Sequence, residues 1–177
     1  MQYTDEEILA KAKETVNFNG IPKGHWLFLV RSKADANDRF DDKVYLFKGE
    51  IFVKASTCTT NKGNKGTAVI EPGWNYEVYK HGKHKSKMDA LVQCKSIPYR
   101  RDFTADKKTN PSTKILTDII GVNFHTCDYN VNQDIVKTNI GGWSEGCIVC
   151  NNLKDYRFII SASQATKLIS FCLVNEF

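Results

Sequence analysis

The sequence has no long apolar run. The longest uninterrupted stretches, residues 26–30 and 171–174, are far shorter than the roughly 20 apolar residues a membrane-spanning helix requires. No membrane span is therefore expected. Nor does the N-terminal Met-Gln-Tyr-Thr-Asp-Glu-Glu have the basic, then apolar, layout of a secretory signal. Internal repeats, low-complexity tracts and Pro/Gly/Ser-rich linkers are also missing, which argues against a string of separate modules. The basic residues form no stripe interleaved with aromatics and no nucleic-acid motif, so no nucleic acid is expected as a partner.

What is present describes an ordinary globular chain. Its 177 residues, 41% hydrophobic and 25% charged, suffice for one domain with a core of its own. The net charge of +5 is spread out, with local concentrations at 80–87, 100–101 and 107–108. The simplest reading of these is solvated loops; a mild basic field would also favour a polyanion. The six cysteines, at 58, 94, 127, 147, 150 and 172, permit disulfides without requiring them, and Cys94 and Cys172 in apolar surroundings read as buried thiols.

Along the chain, Thr4-Asp-Glu-Glu7 is a capping box, and Ile8, Leu9, Ala12 and Val16 recur at helical spacing. This predicts a helix over 5–18, ended by Asn19-Gly20. Strands are expected over 25–31, 43–47, 51–56, 67–70, 74–79, 88–94, 97–103 and 115–124, the second and third joined as a hairpin through Lys48-Gly49-Glu50. A helix is expected over 152–166 and a closing strand over 168–177, with Ile169, Phe171 and Leu173 on one face. The fold class is thus mainly β (β-rich α+β): a β-sandwich or barrel with an N-terminal helix and one short C-terminal helix. Residues 1–24 form the packed N-terminal segment, and 25–177 the main domain.

Two stretches stand out. One leads through Gly121-Val-Asn-Phe-His125 to a histidine at a strand end. The other, Gly142-Trp-Ser-Glu-Gly-Cys147, puts a cysteine behind a glycine turn and ahead of the apolar pair Ile148 and Val149. A thiol is within a unit or two of ionising at neutral pH, and a histidine base closes that gap. Gly146 permits a sharp turn, after which the amides of Gly146 and Cys147 are candidates to hold an oxyanion. Ser144 is a candidate to orient the imidazole or a substrate. The expected catalytic set is Cys147, His125, Ser144 and Gly146, with Trp143, Glu145 and His84 as substrate-binding residues. No cofactor or metal is required by this reading.

These motifs resemble the L,D-transpeptidase (YkuD-like) catalytic domain, in which a histidine is followed by a spacer and then Ser/Thr-His-Gly-Cys. They are more similar still to its divergent phage and mobile-element branch, through Asn123-Phe-His125, Trp143-Ser-Glu-Gly-Cys147, Gly82-Lys-His84, Arg101-Asp102 and Glu71-Pro-Gly-Trp-Asn-Tyr76. Here Glu145 replaces the family's second histidine, and Val149 stands where Asn or Arg is usual. The resemblance implies Cys147 as nucleophile, His125 as base and a Gly146 oxyanion loop. It also implies acyl transfer on a peptidoglycan stem peptide through a thioester resolved by water or an amine, as transferase or hydrolase. The expected place of action is then the bacterial cell wall or periplasm, reached through other machinery or a signal not contained in this sequence.

Two alternatives remain open. One is a zinc-stabilised binding domain using His125, Cys127, Cys147 and Cys150, whose spacing suits zinc. Against it, a strand through Ile148-Val149 would turn Cys147 and Cys150 to opposite faces. The other is a non-catalytic cell-wall-binding module, virion- or secretion-associated, that keeps the fold. Among lesser candidates, His81 reads as solvated, His25 as structural, and Asp102 as a local ion pair with Arg100 or Arg101.

Overall fold

A computed structural model describes residues 2–34, 36–64, 66–104, 106 and 108–177. The chain is mainly β. In order it forms α1 (Asp5–Glu14), β1 (His25–Arg31), β2 (Asp42–Lys48), β3 (Ile51–Thr59), β4 (Ala68–Ile70), β5 (Gly73–His84), β6 (Met88–Gln93), β7 (Ile97–Arg101), β8 (Leu116–Asp118), β9 (Phe124–Thr126), β10 (Ile148–Cys150), α2 (Leu153–Ala162) and β11 (Ile169–Asn175). Eight strands close a barrel in the order β1-β11-β5-β6-β9-β10-β3-β2, and β4-β7-β8 form a small separate sheet. The β1–β11 and β9–β10 pairs are parallel; the other barrel neighbours are antiparallel.

The apolar runs fall where both faces of a strand are covered. Leu27 and Leu29 of β1 point into the barrel core with Ile169, Phe171 and Leu173 of β11. The alternate residues Trp26, Phe28 and Val30 join Cys172, Val174 and Trp74 in a second core closed by Ile8 and Ala12 of α1. A strand buried on both faces has no polar alternation, which is why these stretches read as continuous apolar runs.

The capping box forms as the sequence indicates: the Glu7 amide donates to Thr4 Oγ1 (3.2 Å) and the Thr4 amide to Glu7 Oε2 (2.8 Å). The helix stops at Glu14, short of the expected end, because Thr15 turns extended and Asn17 takes a positive φ of 65°. The second helix is also shorter than expected. It begins after Asn152, whose Oδ1 accepts the amides of Lys154 and Asp155.

A larger difference concerns residues 115–124. One strand was expected; two short ones form, β8 and β9, separated by 119–123. Gly121 takes φ +76°, and Gln93 Oε1 accepts the amides of Ile120 (3.1 Å) and Val122 (2.9 Å) in place of a ladder partner. Gln93 Nε2 donates to the carbonyls of Lys95 and Asp118, so this one amide stitches the segment to the barrel. His125 consequently lies in the middle of β9 rather than at a strand end.

Candidate active site

Because β9 and β10 are parallel neighbours with Ile148 opposite Phe124, the residue before β10 falls beside the residue before β9. That places Cys147 against Asn123. The Asn123 amide donates to Cys147 Sγ (3.5 Å), the Ile148 amide to Asn123 O (3.0 Å), and the thiol to Gly121 O (3.4 Å). Cys147, His125 and His84 offer ligand or nucleophile atoms within 4.8 Å of one another. His125 is fully buried, while Cys147 (8% exposed) and His84 (7%) line a cleft of about 190 Å³. A larger groove of about 570 Å³, between residues 2–5 and the β2–β3 face, holds neither histidine nor cysteine.

The imidazoles have distinct hydrogen-bonding roles. His125 Nδ1 donates to the carbonyl of Thr126 (2.7 Å), which leaves Nε2 as a bare acceptor, buried and without a hydrogen-bond partner. His84 stacks on it, with ring centroids 3.9 Å apart and planes 20° from parallel. His84 Nδ1 sits 3.1 Å from Asn123 Nδ2, whose partner oxygen, Oδ1, accepts the Gln93 amide (2.9 Å). That second bond fixes which end of the Asn123 side chain faces His84. The histidine must accept at Nδ1 and carry its proton on Nε2.

Burial, then the neighbouring His84, pushes the His125 pKa down to about 3. Burial, with Lys85 adding to it, also lowers that of His84. The Cys147 thiol is pushed up, again mainly by burial, against the opposing hydrogen bond from the Asn123 amide. The resting site is therefore a neutral thiol beside two neutral imidazoles, not a thiolate–imidazolium pair.

The turn carrying Cys147 is held from the other side by residues 60–64 and 66–68. Gly63 N donates to Ser144 O (2.8 Å), Asn64 N to Gly141 O (3.2 Å) and Ala68 N to Glu145 O (3.2 Å). The approach is close enough that a Cβ on Gly63 would press on the Gly141 carbonyl, and one on Gly66 would stand 2.5 Å from Glu145 Cα. Ser144 is fully buried, and its hydroxyl contacts backbone alone: Asn61 O, Cys147 O and the Gly146 amide. It shapes the turn and touches neither the imidazole nor the cleft. Gly146, at φ +131°, gives its amide to Ser144 Oγ, so that amide is not free to receive an oxyanion. Among the described residues no partner is seen for the Cys147 amide.

Trp143 and Glu145 both line the cleft, and Trp143 meets Tyr129 edge-on at 4.9 Å. Three residues of this region were not singled out as site residues from sequence: Asn123, Lys85 and Arg101. Lys85 and Ser86 form the β5–β6 turn with φ of 48° and 57°, unusual for non-glycine residues, and Lys85 lines the cleft. Arg101 also lines the cleft, its guanidinium over the Tyr99 ring (4.9 Å) and donating to Thr67 Oγ1 (2.8 Å). Among the described residues neither cation pairs with a carboxylate. The signal for both was the basic density of the sequence, read there as solvated loops.

Other expectations need correction. Asp102 is fully buried and pairs with Lys62 (3.3 Å), not with Arg100, which goes to Glu71, nor with Arg101. Burial raises the Asp102 pKa, but hydrogen bonds from Thr104, Asn110 and Lys62 outweigh it and hold the carboxyl below its ordinary value. His81 is not simply solvated: its Nε2 meets Ser163 O (3.0 Å) at the end of α2. The four residues of the zinc alternative do not converge. Cys150 points into the barrel core and donates to Ser56 Oγ (3.3 Å), Cys127 turns to Asn151 O, and Cys147 faces the cleft. The group that does gather, His84, His125 and Cys147, suits a metal poorly. Imidazole lone pairs lie in the ring plane, and two nearly parallel stacked rings do not aim theirs at one ion.

Comparison with known proteins adds no relative: no family model matches the chain, and no curated protein or solved structure matches it.

Proposed function

We propose that the chain is a cysteine acyl-transfer enzyme of the L,D-transpeptidase type, acting on peptidoglycan stem peptides by transpeptidation or hydrolysis. The observation that carries the chemistry is the tautomer of His125: with Nδ1 tied to Thr126 O, Nε2 is left as a bare acceptor, on a ring that offers a nitrogen within 4.8 Å of Cys147 Sγ. As Sγ attacks the donor carbonyl, the thiol proton passes to Nε2. Collapse of the tetrahedral intermediate breaks the C–N bond, and the imidazolium returns that proton to the leaving amine. Water or an amine then attacks the thioester, giving its proton to Nε2, and the departing sulfur recovers it. Lys85 and Arg101 in the cleft, neither paired with a carboxylate among the described residues, suit a donor peptide that carries carboxylates.

The test is incubation with muropeptides and intact-protein mass spectrometry. An acyl adduct on Cys147 and a cross-linked or trimmed product are expected, both absent from Cys147→Ala. Turnover that survives Cys147→Ala rejects the proposal. Wall pelleting without any turnover in the unaltered protein favours the binding-module reading instead.

A further inference from the structure

We propose that His84 is a second catalytic imidazole, a fixed N–H donor that holds the oxyanion formed when Cys147 attacks a carbonyl. This rests on the acyl-transfer chemistry above but not on the identity of the acyl donor. Three observations converge. The Gly146 amide, the donor the turn would ordinarily present, is already spent on Ser144 Oγ, which leaves the Cys147 amide short of a companion. His84 lines the same cleft as Cys147, within 4.8 Å of it by their polar atoms. Its tautomer is set by a relay outside the cleft, in which the Gln93 amide fixes Asn123 Oδ1 and Asn123 Nδ2 donates to His84 Nδ1. Nε2–H is then the donor left for the cleft. It is not a buried, unpartnered atom, whereas His125 Nε2 is.

The stacked pair thus divides the work. His125, locked by Thr126 O, presents a lone pair and takes the thiol proton. His84, locked by Asn123, presents a proton and receives the carbonyl oxygen as its π electrons move onto it. No proton leaves His84 during the cycle: it hydrogen-bonds the oxyanion as Sγ–C forms and releases it when C–N breaks. A charged ring at either position would face its neighbour across 3.9 Å, so two neutral rings in opposite tautomers are the arrangement the stack favours. Donors of this kind act in water-poor sites, and removal of one lowers the rate by about 10²–10³-fold.

The test compares two reactions of the purified chain at Cys147. Acylation by p-nitrophenyl acetate passes through an oxyanion; alkylation by iodoacetamide does not. His84→Phe keeps a ring for stacking and removes the donor. It should slow acylation by about 100-fold, with alkylation changed by less than about threefold. His84→Gln, whose amide reaches the Nε2 position, should recover at least about tenfold of the lost acylation rate. If the Phe variant does not fold, His84→Asn, reaching only the Nδ1 position, takes its place. The proposal is overturned if His84→Phe leaves acylation unchanged, slows both reactions alike, or is no worse than His84→Gln, or if wild-type Cys147 is not acylated. Neither probe is a wall fragment, so failure to turn over muropeptides would reject the substrate and leave this result standing.

Discussion

At the scale of single residues, the site separates reactivity from charge. Many cysteine nucleophiles are held as thiolates by an adjacent imidazolium, with thiol pKa values of about 3–4 in the extreme. Here burial works against both ions: it raises the Cys147 thiol and lowers His125 to about 3. The thiol then loses its proton only as it attacks, and resting thiolate is scarce at neutral pH. Iodoacetamide alkylation of Cys147 should therefore climb roughly tenfold per pH unit from 6 to beyond 9. An ion pair would instead give a plateau beginning near pH 5 or 6, and such a plateau would reject the neutral resting state. Absorbance of the thiolate near 240 nm, compared with Cys147→Ala, gives the same answer without a reagent.

At the scale of elements, the site is two pieces of backbone pressed together: the turn 141–147 and residues 60–64 and 66–68. Gly63 shows how tight the contact is. No unusual φ requires glycine there, yet a Cβ would press on the Gly141 carbonyl and stand 3.1 Å from Ser144 O. Backbone cannot swing aside as a side chain can. Gly63→Ala should cost about 2–3 kcal/mol, as overpacking does, and lower Tm by roughly 5–10 °C. Gly142→Ala, with open space around the new methyl, should leave Tm unchanged. Equal shifts for the two would show that the turn is free to move. This contact also marks where sequence reading stops. The capping box, β1, β11 and the step from Gly146 into a strand after Cys147 were legible because each follows from near neighbours in the chain. Division of 115–124 was not, because Gln93 takes the amides of Ile120 and Val122 from a distant strand. His84 reads from sequence only as a substrate-binding residue because nothing in its own stretch reveals that it stacks on His125; strand pairing across the barrel brings them together. Lys62 and Asp102 are likewise brought together only by tertiary structure.

At the scale of the whole molecule, two buried groups pull the acid response in opposite directions. Asp42, fully buried, accepts the amides of Ser32 and Thr60 and the Thr60 hydroxyl, yet burial still raises its pKa to about 6. An acid with a raised folded pKa binds protons more readily when folded, so stability grows as pH falls from 7 through 6 toward the unfolded value. His125 is a base with a depressed folded pKa, so between about 3 and 6.5 the unfolded chain binds the extra proton and stability is lost as pH falls. From pH 7 to 5 the histidine removes about 2 kcal/mol and the aspartate returns about 1. His25 and His84, also lowered by burial, act in the same direction as His125. The wild-type protein should thus lose stability modestly over this interval in urea unfolding. His125→Gln deletes the largest acid-sensitive contribution, so its stability at pH 5 relative to pH 7 should improve on wild type by about 2 kcal/mol, whatever the substitution costs at pH 7. Parallel pH profiles for the two proteins would mean that folding does not lower the His125 pKa, and the imidazole would then titrate in the folded protein as it does in the unfolded chain.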